Sequence, residues 1–239
     1  MGGIMDKTIL VVDDDASIRE VVSICMRREG FEVIQAKNGM EALDLYARTR
    51  VDLVILDVMM EGYSGFEVCS AIRDRDISLP IIMLSAKNDL VDKGLGFKLG
   101  ADDYVTKPFE PAELVMRVHS CLRNRQPGSE GGPGGAQPGR AAAIALGDLT
   151  IDPESRQACA RGRRLDLTAK EFDILLLLAQ RPNTVFTRQQ ILDSVWGYGH
   201  HGNTGVVAVF IRKLREKIEE DPSKPSHIIT EWGVGYRIV

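Results

Sequence analysis

Three consecutive carboxylates, Asp13, Asp14 and Asp15, follow the apolar run Thr8–Val12, and a fourth, Asp57, closes a second apolar run that begins at Leu53. Later runs end in a hydroxyl, Ser85, and in an ammonium, Lys107. Carboxylates crowded at strand ends repel one another, and a hard divalent cation coordinated through oxygen relieves that repulsion. Magnesium suits such a site. It keeps some of its waters and needs only one or two protein carboxylates, which leaves one aspartate free to attack phosphorus. A lysine and a hydroxyl that can hold phosphoryl oxygens complete a kit for phosphoryl transfer, which depends mostly on positioning and charge neutralisation. Taken singly these residues say little, since strand-end serines serve turns and Lys-Pro marks loops; their joint order along one chain is the signal.

The elements that would gather these groups are visible as an alternation. Short β-branched runs at 8–12, 31–35, 52–56, 80–84 and 103–106 alternate with helical patterns near 15–29, 39–49, 64–74, 89–99 and 110–124. This predicts an α/β doubly wound fold, a five-stranded parallel sheet with helices on both faces. In such a sheet the ligand crevice lies beyond the carboxyl ends of the strands where strand order reverses, so the acidic ends meet in one place. Ser17-Ile18-Arg19-Glu20 has capping-box spacing and Gly30 stands where the first helix should stop, so part of the acidic run, Asp15 above all, also serves helix initiation.

Gln126–Gly139 contains almost nothing that could be buried, and its glycines keep backbone freedom that folding would have to remove. It predicts a flexible linker over 126–143, between a first domain at 1–125 and a second at 144–239. In the second, 146–151, 157–160 and 164–167 read as short antiparallel strands, followed by helices near 168–180, 187–195 and 204–219. Val207, Ile211, Leu214 and Ile218 recur at i, i+4, i+7 and i+11, a single buried stripe that leaves Arg212, Lys213, Arg215 and Glu216 off it. The closing segment 228–239 reads as a hairpin with a glycine turn. Helices followed by a hairpin predict a winged helix-turn-helix of the α+β class.

With 239 residues, 44% of them hydrophobic, the chain has enough apolar material for two ordinary cores. Residues 1–125 carry 16 Lys and Arg against 21 Asp and Glu, and residues 126–239 carry 14 against 13. The second half is therefore not basic enough for general nucleic-acid affinity, and its densest basic cluster is the segment Arg212–Lys217. Four scattered cysteines without a CxxC pair indicate reduced thiols rather than disulfides. The longest apolar runs, such as Ile174–Ala179, fall far below the roughly 20 residues of a membrane span, and the first residues lack a signal-peptide apolar region. A cytoplasmic protein without a membrane partner is expected.

The first ~125 residues resemble the receiver domain of a two-component response regulator, and 144–239 resembles the winged-helix output domain of the OmpR/PhoB subfamily. The matching pieces are Ile9–Asp15, Leu56–Met59, Ser85-Ala86, Gly100–Phe109, Leu167–Phe172, Val195–Gly197, Ile211–Arg215 and Gly233–Arg237. The resemblance implies that Asp57 is the phosphoacceptor, taking its phosphoryl group from a sensor histidine kinase. Asp14, Asp57 and the backbone carbonyl of Met59 would bind Mg²⁺, Asp13 acting largely through a metal-bound water. Lys107 would pair with the phosphoryl group across a cis Lys107–Pro108 peptide, and Ser85 and Tyr104 would form the switch. It also implies a phosphorylation-promoted homodimer through the face of the predicted helix 89–99, strand 103–106 and helix 110–124. Lys93, Asp102, Asp103, Glu113, Arg117 and Arg123 match the charged positions of that face and are expected as surface charges.

The chain departs from the family at Glu61, where a proline is usual, and on the DNA-reading surface. There Gly205, Val206, Ala208 and Phe210 replace more polar residues, and Trp232 stands where many relatives carry a wing arginine. Apolar readout of thymine methyls by Val206 or Val209, base or phosphate contacts from Arg212, Lys213 and Arg215, and phosphate contact by Thr230 remain available for promoter DNA. Two other readings stay open: an output domain that binds protein, RNA polymerase included, more than DNA, and a Mg²⁺-dependent phosphatase acting on small phosphoesters.

Overall fold

A computed structural model describes residues 7–86, 99–123, 143–197 and 204–239. Lys93, most of the predicted helix 89–99 and nearly all of the predicted linker lie outside these residues. The chain divides into two compact units, Met1–Leu122 and Arg123–Val239, and each is described by itself.

In the first unit β1 (Thr8–Val12), β2 (Glu32–Ala36), β3 (Leu53–Asp57), β4 (Ile81–Ala86) and β5 (Asp103–Lys107) form one parallel sheet in the order β2-β1-β3-β4-β5. Every strand begins within one residue of its expected start. Side chains alternate across a strand, and Ile9, Val11, Leu53, Ile55, Ile82, Leu84 and Val105 share one core. Val22 and Met26 of α1 (Ala16–Arg28) and Leu114 and Val118 of α4 (Pro111–Arg123) complete it. Residues of the opposite parity, among them Leu10, Val12, Val54, Leu56 and Met83, are also fully buried. Both faces are therefore covered, as a parallel sheet requires. Strand order reverses between β1 and β3, and their carboxyl ends open on the same crevice.

Local chemistry sets the helix starts around that crevice. The Asp15 carboxylate accepts from the backbone N–H of Ser17 at 2.7 Å and of Ile18 at 3.4 Å, so α1 starts at Ala16. Because Asp15 satisfies those donors, Asp15 rather than a Ser17–Glu20 box caps the helix, a correction to the spacing argument. Helix α2 spans Gly39–Arg48 and α3 spans Gly65–Arg73, the latter opened by a capping box between Ser64 and Glu67. A Cβ at Gly65 would collide with the carbonyl oxygen of Asp57. Glycine is what lets α3 begin directly against the end of β3.

The second unit opens with β6 (Ile144–Leu146), β7 (Leu149–Asp152), β8 (Gln157–Ala160) and β9 (Arg163–Arg164), an antiparallel sheet in chain order. The run 146–151 expected as one strand spans a turn, with Gly147 at φ +59° joining β6 and β7. The strand expected at 164–167 is reduced to Arg163–Arg164, because the chain leaves the sheet to enter α5 (Ala169–Ala179), capped by Thr168 and Glu171. Then follow β10 (Phe186–Thr187), α6 (Arg188–Trp196), α7 (Gly205–Ile218) and the hairpin β11 (Ile228–Glu231) and β12 (Gly235–Ile238). The sheet order β10-β12-β11 and the turn at Gly233, φ +77°, make the wing of a winged helix. The α7 stripe Val207, Ile211, Leu214 and Ile218 is buried as its spacing predicts. No helix among the described residues is long and apolar enough to cross a membrane.

Candidate functional site: an acidic pocket and a helix with a wing

Asp13 stands one residue past β1 and Asp57 ends β3, so parallel pairing of the two strands brings their carboxylates to the same edge. Ligand oxygens of Asp13, Asp14 and Asp57 lie within 4.8 Å of one another. Lys107, at the end of β5, donates to Asp13 Oδ2 at 2.7 Å and to Asp57 Oδ1 at 2.8 Å. Asp13 is spent on both sides, since its Oδ1 accepts from the Asp15 N–H at 2.9 Å. The Asp14 side chain is exposed, and its carboxylate takes no hydrogen bond or ion pair among the described residues. Ser85 is buried near the end of β4, Met59 is 66% exposed just past β3, and the Lys107–Pro108 peptide is cis, as the resemblance implied.

Burial foremost, with Asp13 and Asp14 acting in the same sense, raises the Asp57 carboxyl above its ordinary value despite the Lys107 ammonium beside it. For Lys107, burial favours the neutral amine, but hydrogen bonds and charge from Asp13 and Asp57 outweigh it and hold its pKa above the ordinary lysine value. The pocket thus combines a buried, unusually basic carboxylate, a fixed cation and an open carboxylate at the rim. That donor set fits a hard divalent cation and a phosphoryl group. The Tyr104 ring is buried, 7% exposed, with its hydroxyl on Met83 Sδ at 2.9 Å.

The aspartates beside Tyr104 correct an expectation. Asp102 and Asp103 are buried, not surface charges. Asp102 accepts from Arg73 at 2.8 Å and from the Ile81 N–H at 3.0 Å. Asp103 accepts two bonds from Arg117 Nη1, both 2.9 Å, while Glu113 accepts from Arg117 Nη2 at 2.6 Å. Arg117, 8% exposed, is buried as well. Asp102 stands just before β5 and Asp103 begins it, and each of these successive aspartates is paired with a different arginine.

The output unit corrects the expected reading surface too. Phe210, assigned by sequence to that surface, is fully buried with its ring edge-on to Trp196, centroids 5.3 Å apart. Lys213 and Lys217 turn to Glu171, a fully buried carboxylate of α5, at 3.4 and 2.6 Å. Arg215 donates to the Ile228 carbonyl at 2.6 Å and to Thr230 Oγ1 at 2.8 Å, tying α7 to the wing. Glu219, just past α7, accepts from the N–H groups of Ser226, His227 and Ile228 and strengthens that tie. Arg212 points outward with Glu216 as its i+4 partner at 2.9 Å. Val206 and Val209 are half-buried, and Trp232 at the wing turn is 89% exposed.

Residues 9–119 match the family model of the response regulator receiver domain, and residues 162–238 match that of the C-terminal part of transcriptional regulatory proteins. Over 233 residues the chain is 43% identical to the DNA-binding response regulator MtrA of Mycolicibacterium smegmatis, covering 98% of this chain and 97% of that protein. The chain belongs to the OmpR/PhoB family of response regulators. MtrA of Mycobacterium leprae matches this response regulator at the same 43% identity, with 98% of each chain covered. Among solved structures, the OmpR/PhoB homologue DrrB of Thermotoga maritima aligns with a TM-score of 0.52 at 35% identity, over 98% of this chain and 99% of that one. A RitR mutant aligns at 0.74 and 26% identity over the same shares.

Sequence reasoning missed three contributors to the regulator's two sites. Gly65 was passed over, although a glycine directly after a capping serine is a signal of close backbone approach. Glu171 was noted only as part of a family motif, and its three-residue spacing from Thr168 hid its second role toward α7. Arg19 lies inside the Ser17–Glu20 spacing, and no local pattern marks it.

Proposed function

We propose that Asp57 takes a phosphoryl group from the phosphohistidine of a sensor kinase: a carboxylate oxygen forms the new bond to phosphorus as the phosphorus–nitrogen bond breaks and the imidazole leaves. The observation that carries this reading is the buried Asp57 carboxylate, made more basic by burial and held 2.8 Å from the Lys107 ammonium. A more basic carboxylate is a better nucleophile, and a fixed cation beside it offsets charge on the phosphoryl oxygens. Asp14, Asp57 and the Met59 carbonyl would hold Mg²⁺, with Asp13 behind a water because both its oxygens already have partners. Bound there, the ion would neutralise and orient the phosphoryl oxygens. Ser85 would then hydrogen-bond a phosphoryl oxygen, with Tyr104, whose ring is already buried here, as the partner half of the switch.

In this reading the protein works in the cytoplasm as a transcription factor. Phosphorylation favours a homodimer through the face of β5 and α4, where Met116 is 54% exposed and supplies apolar surface. Lys93 and Arg123 are its candidate charges, and Asp102, Asp103, Glu113 and Arg117 can join only by exchanging the partners they hold within the chain. The dimer sets two output domains on a repeated promoter site, where avidity compensates for weak single contacts. Val206, Val209, Arg212 and Trp232 are the residues with surface to offer DNA; Lys213, Arg215 and Thr230 act mainly by fixing α7 and the wing. The exposed Trp232 and the internally paired lysines also favour a second reading, contact of the output domain with RNA polymerase.

The test is labelling by acetyl phosphate with Mg²⁺, read by intact-protein mass. Wild type gains one phosphoryl group and Asp57→Asn gains none. A label on Asp57→Asn would remove Asp57 from the role.

A further inference from the structure

Arg19, in the first turn of α1, reaches back over the acidic turn. Its Nη1 donates to the backbone carbonyl of Asp13 at 2.7 Å and to that of Asp14 at 3.1 Å. The same three residues are held from two other sides. Asp15 N–H donates to Asp13 Oδ1 at 2.9 Å, and the Asp15 carboxylate caps the helix that carries Arg19. Helix, cap and guanidinium thus close a ring around the backbone that carries Asp13 and Asp14.

We propose that Arg19 is a positioning residue for the divalent cation: by bridging two successive carbonyls it sets the direction in which the Asp13 and Asp14 carboxylates leave the main chain. The inference rests on the reading of the pocket as a metal-dependent phosphorylation site. Asp14 is exposed and has no protein partner of its own among the described residues, so its backbone is what aims it. A geometric role and a purely electrostatic one have opposite signs. A cation this close to three carboxylates repels an incoming metal ion, so deleting its charge alone would tighten metal binding. Deleting the two hydrogen bonds frees the turn and weakens it. Because the Arg19 N–H groups donate to backbone carbonyls rather than to the carboxylates, they occupy none of the carboxylate oxygens that a metal would use.

The experiment is a titration of the full chain with Mn²⁺, a stand-in for Mg²⁺ followed by loss of the free-ion paramagnetic resonance signal. It is run on wild type, Arg19→Ala, Arg19→Lys and, as a control, Arg28→Ala in the last turn of the same helix. Arg19→Ala should bind about three- to tenfold more weakly, the net size of about one ordinary hydrogen bond. Arg19→Lys should recover part of the loss, and Arg28→Ala should match wild type. Phosphorylation of Arg19→Ala from acetyl phosphate should need more Mg²⁺ for half-maximal rate yet reach a maximum within about twofold of wild type, the signature of altered metal binding rather than altered chemistry. Unchanged or tighter Mn²⁺ binding by Arg19→Ala, or an equal loss in Arg28→Ala, would overturn the proposal. If wild type neither binds Mn²⁺ nor is labelled, the underlying reading of the pocket fails instead.

Discussion

At the scale of single residues the pocket is a case of function bought against stability. Asp57 is held in a place that disfavours its charge, chiefly by burial and then by Asp13 and Asp14. The sign of the consequence follows from linkage. A carboxyl whose folded pKa lies above its unfolded value of about 3.9 contributes stability when protonated, and that contribution is lost as pH rises through the folded pKa. At neutral pH the ionised Asp57 therefore costs stability. Asp57→Asn should melt higher than wild type at pH 7 without divalent metal, and the difference should shrink as pH is lowered toward the carboxyl's own titration. A scanning-calorimetry series from pH 7 to pH 4 decides it; a lower receiver midpoint for the variant at pH 7 would mean that the Lys107 pairing outweighs burial. Asp15 shows the opposite case. Its carboxylate caps α1 by accepting from the Ser17 and Ile18 N–H groups, which lower its pKa, and it lies outside the metal cluster.

At the scale of elements, what matters is how one strand or helix is fastened to the next. β5 is an edge strand, and Asp102 just before it and Asp103 at its start are pinned by arginines from different helices, Arg73 of α3 and Arg117 of α4. Removing one partner of a buried pair leaves an uncompensated charge, which is far costlier than replacing both. Arg117→Ala should lower receiver stability by about 3–5 kcal/mol in urea unfolding, whereas the paired change Asp103→Leu with Arg117→Met should cost clearly less. Equal losses would show that Arg117 acts through packing rather than by answering the Asp103 charge. In the output unit the comparable fastening is Glu171, which draws Lys213 and Lys217 to α5 and so ties α7 to that helix. The basic cluster read from the sequence is thus mostly structural, and Arg212 is the member left outside.

At the scale of the whole molecule, a receiver that carries the chemistry and a winged helix that carries the recognition are joined by a Gly- and Pro-rich segment. Their coupling is best tested on the intact chain, by selecting bound sequences from random duplex DNA with and without a phosphoryl donor and Mg²⁺. Enrichment of a direct repeat mainly in the phosphorylated sample is the expected outcome; no enrichment in either sample would favour the polymerase-contact reading. The sequence by itself determined the doubly wound sheet, the winged helix, and the convergence of Asp13, Asp14, Asp57 and Lys107. Each of these follows from periodicity and from strand ends, which are local properties of the chain. Only the tertiary structure decided which polar groups are already spent. Asp103 pairs with Arg117 fourteen residues away and Lys217 with Glu171 forty-six residues away, and Arg19 finds backbone carbonyls that carry no side-chain signature. Partner choice for a charge depends on burial and direction, and neither exists until the chain has folded.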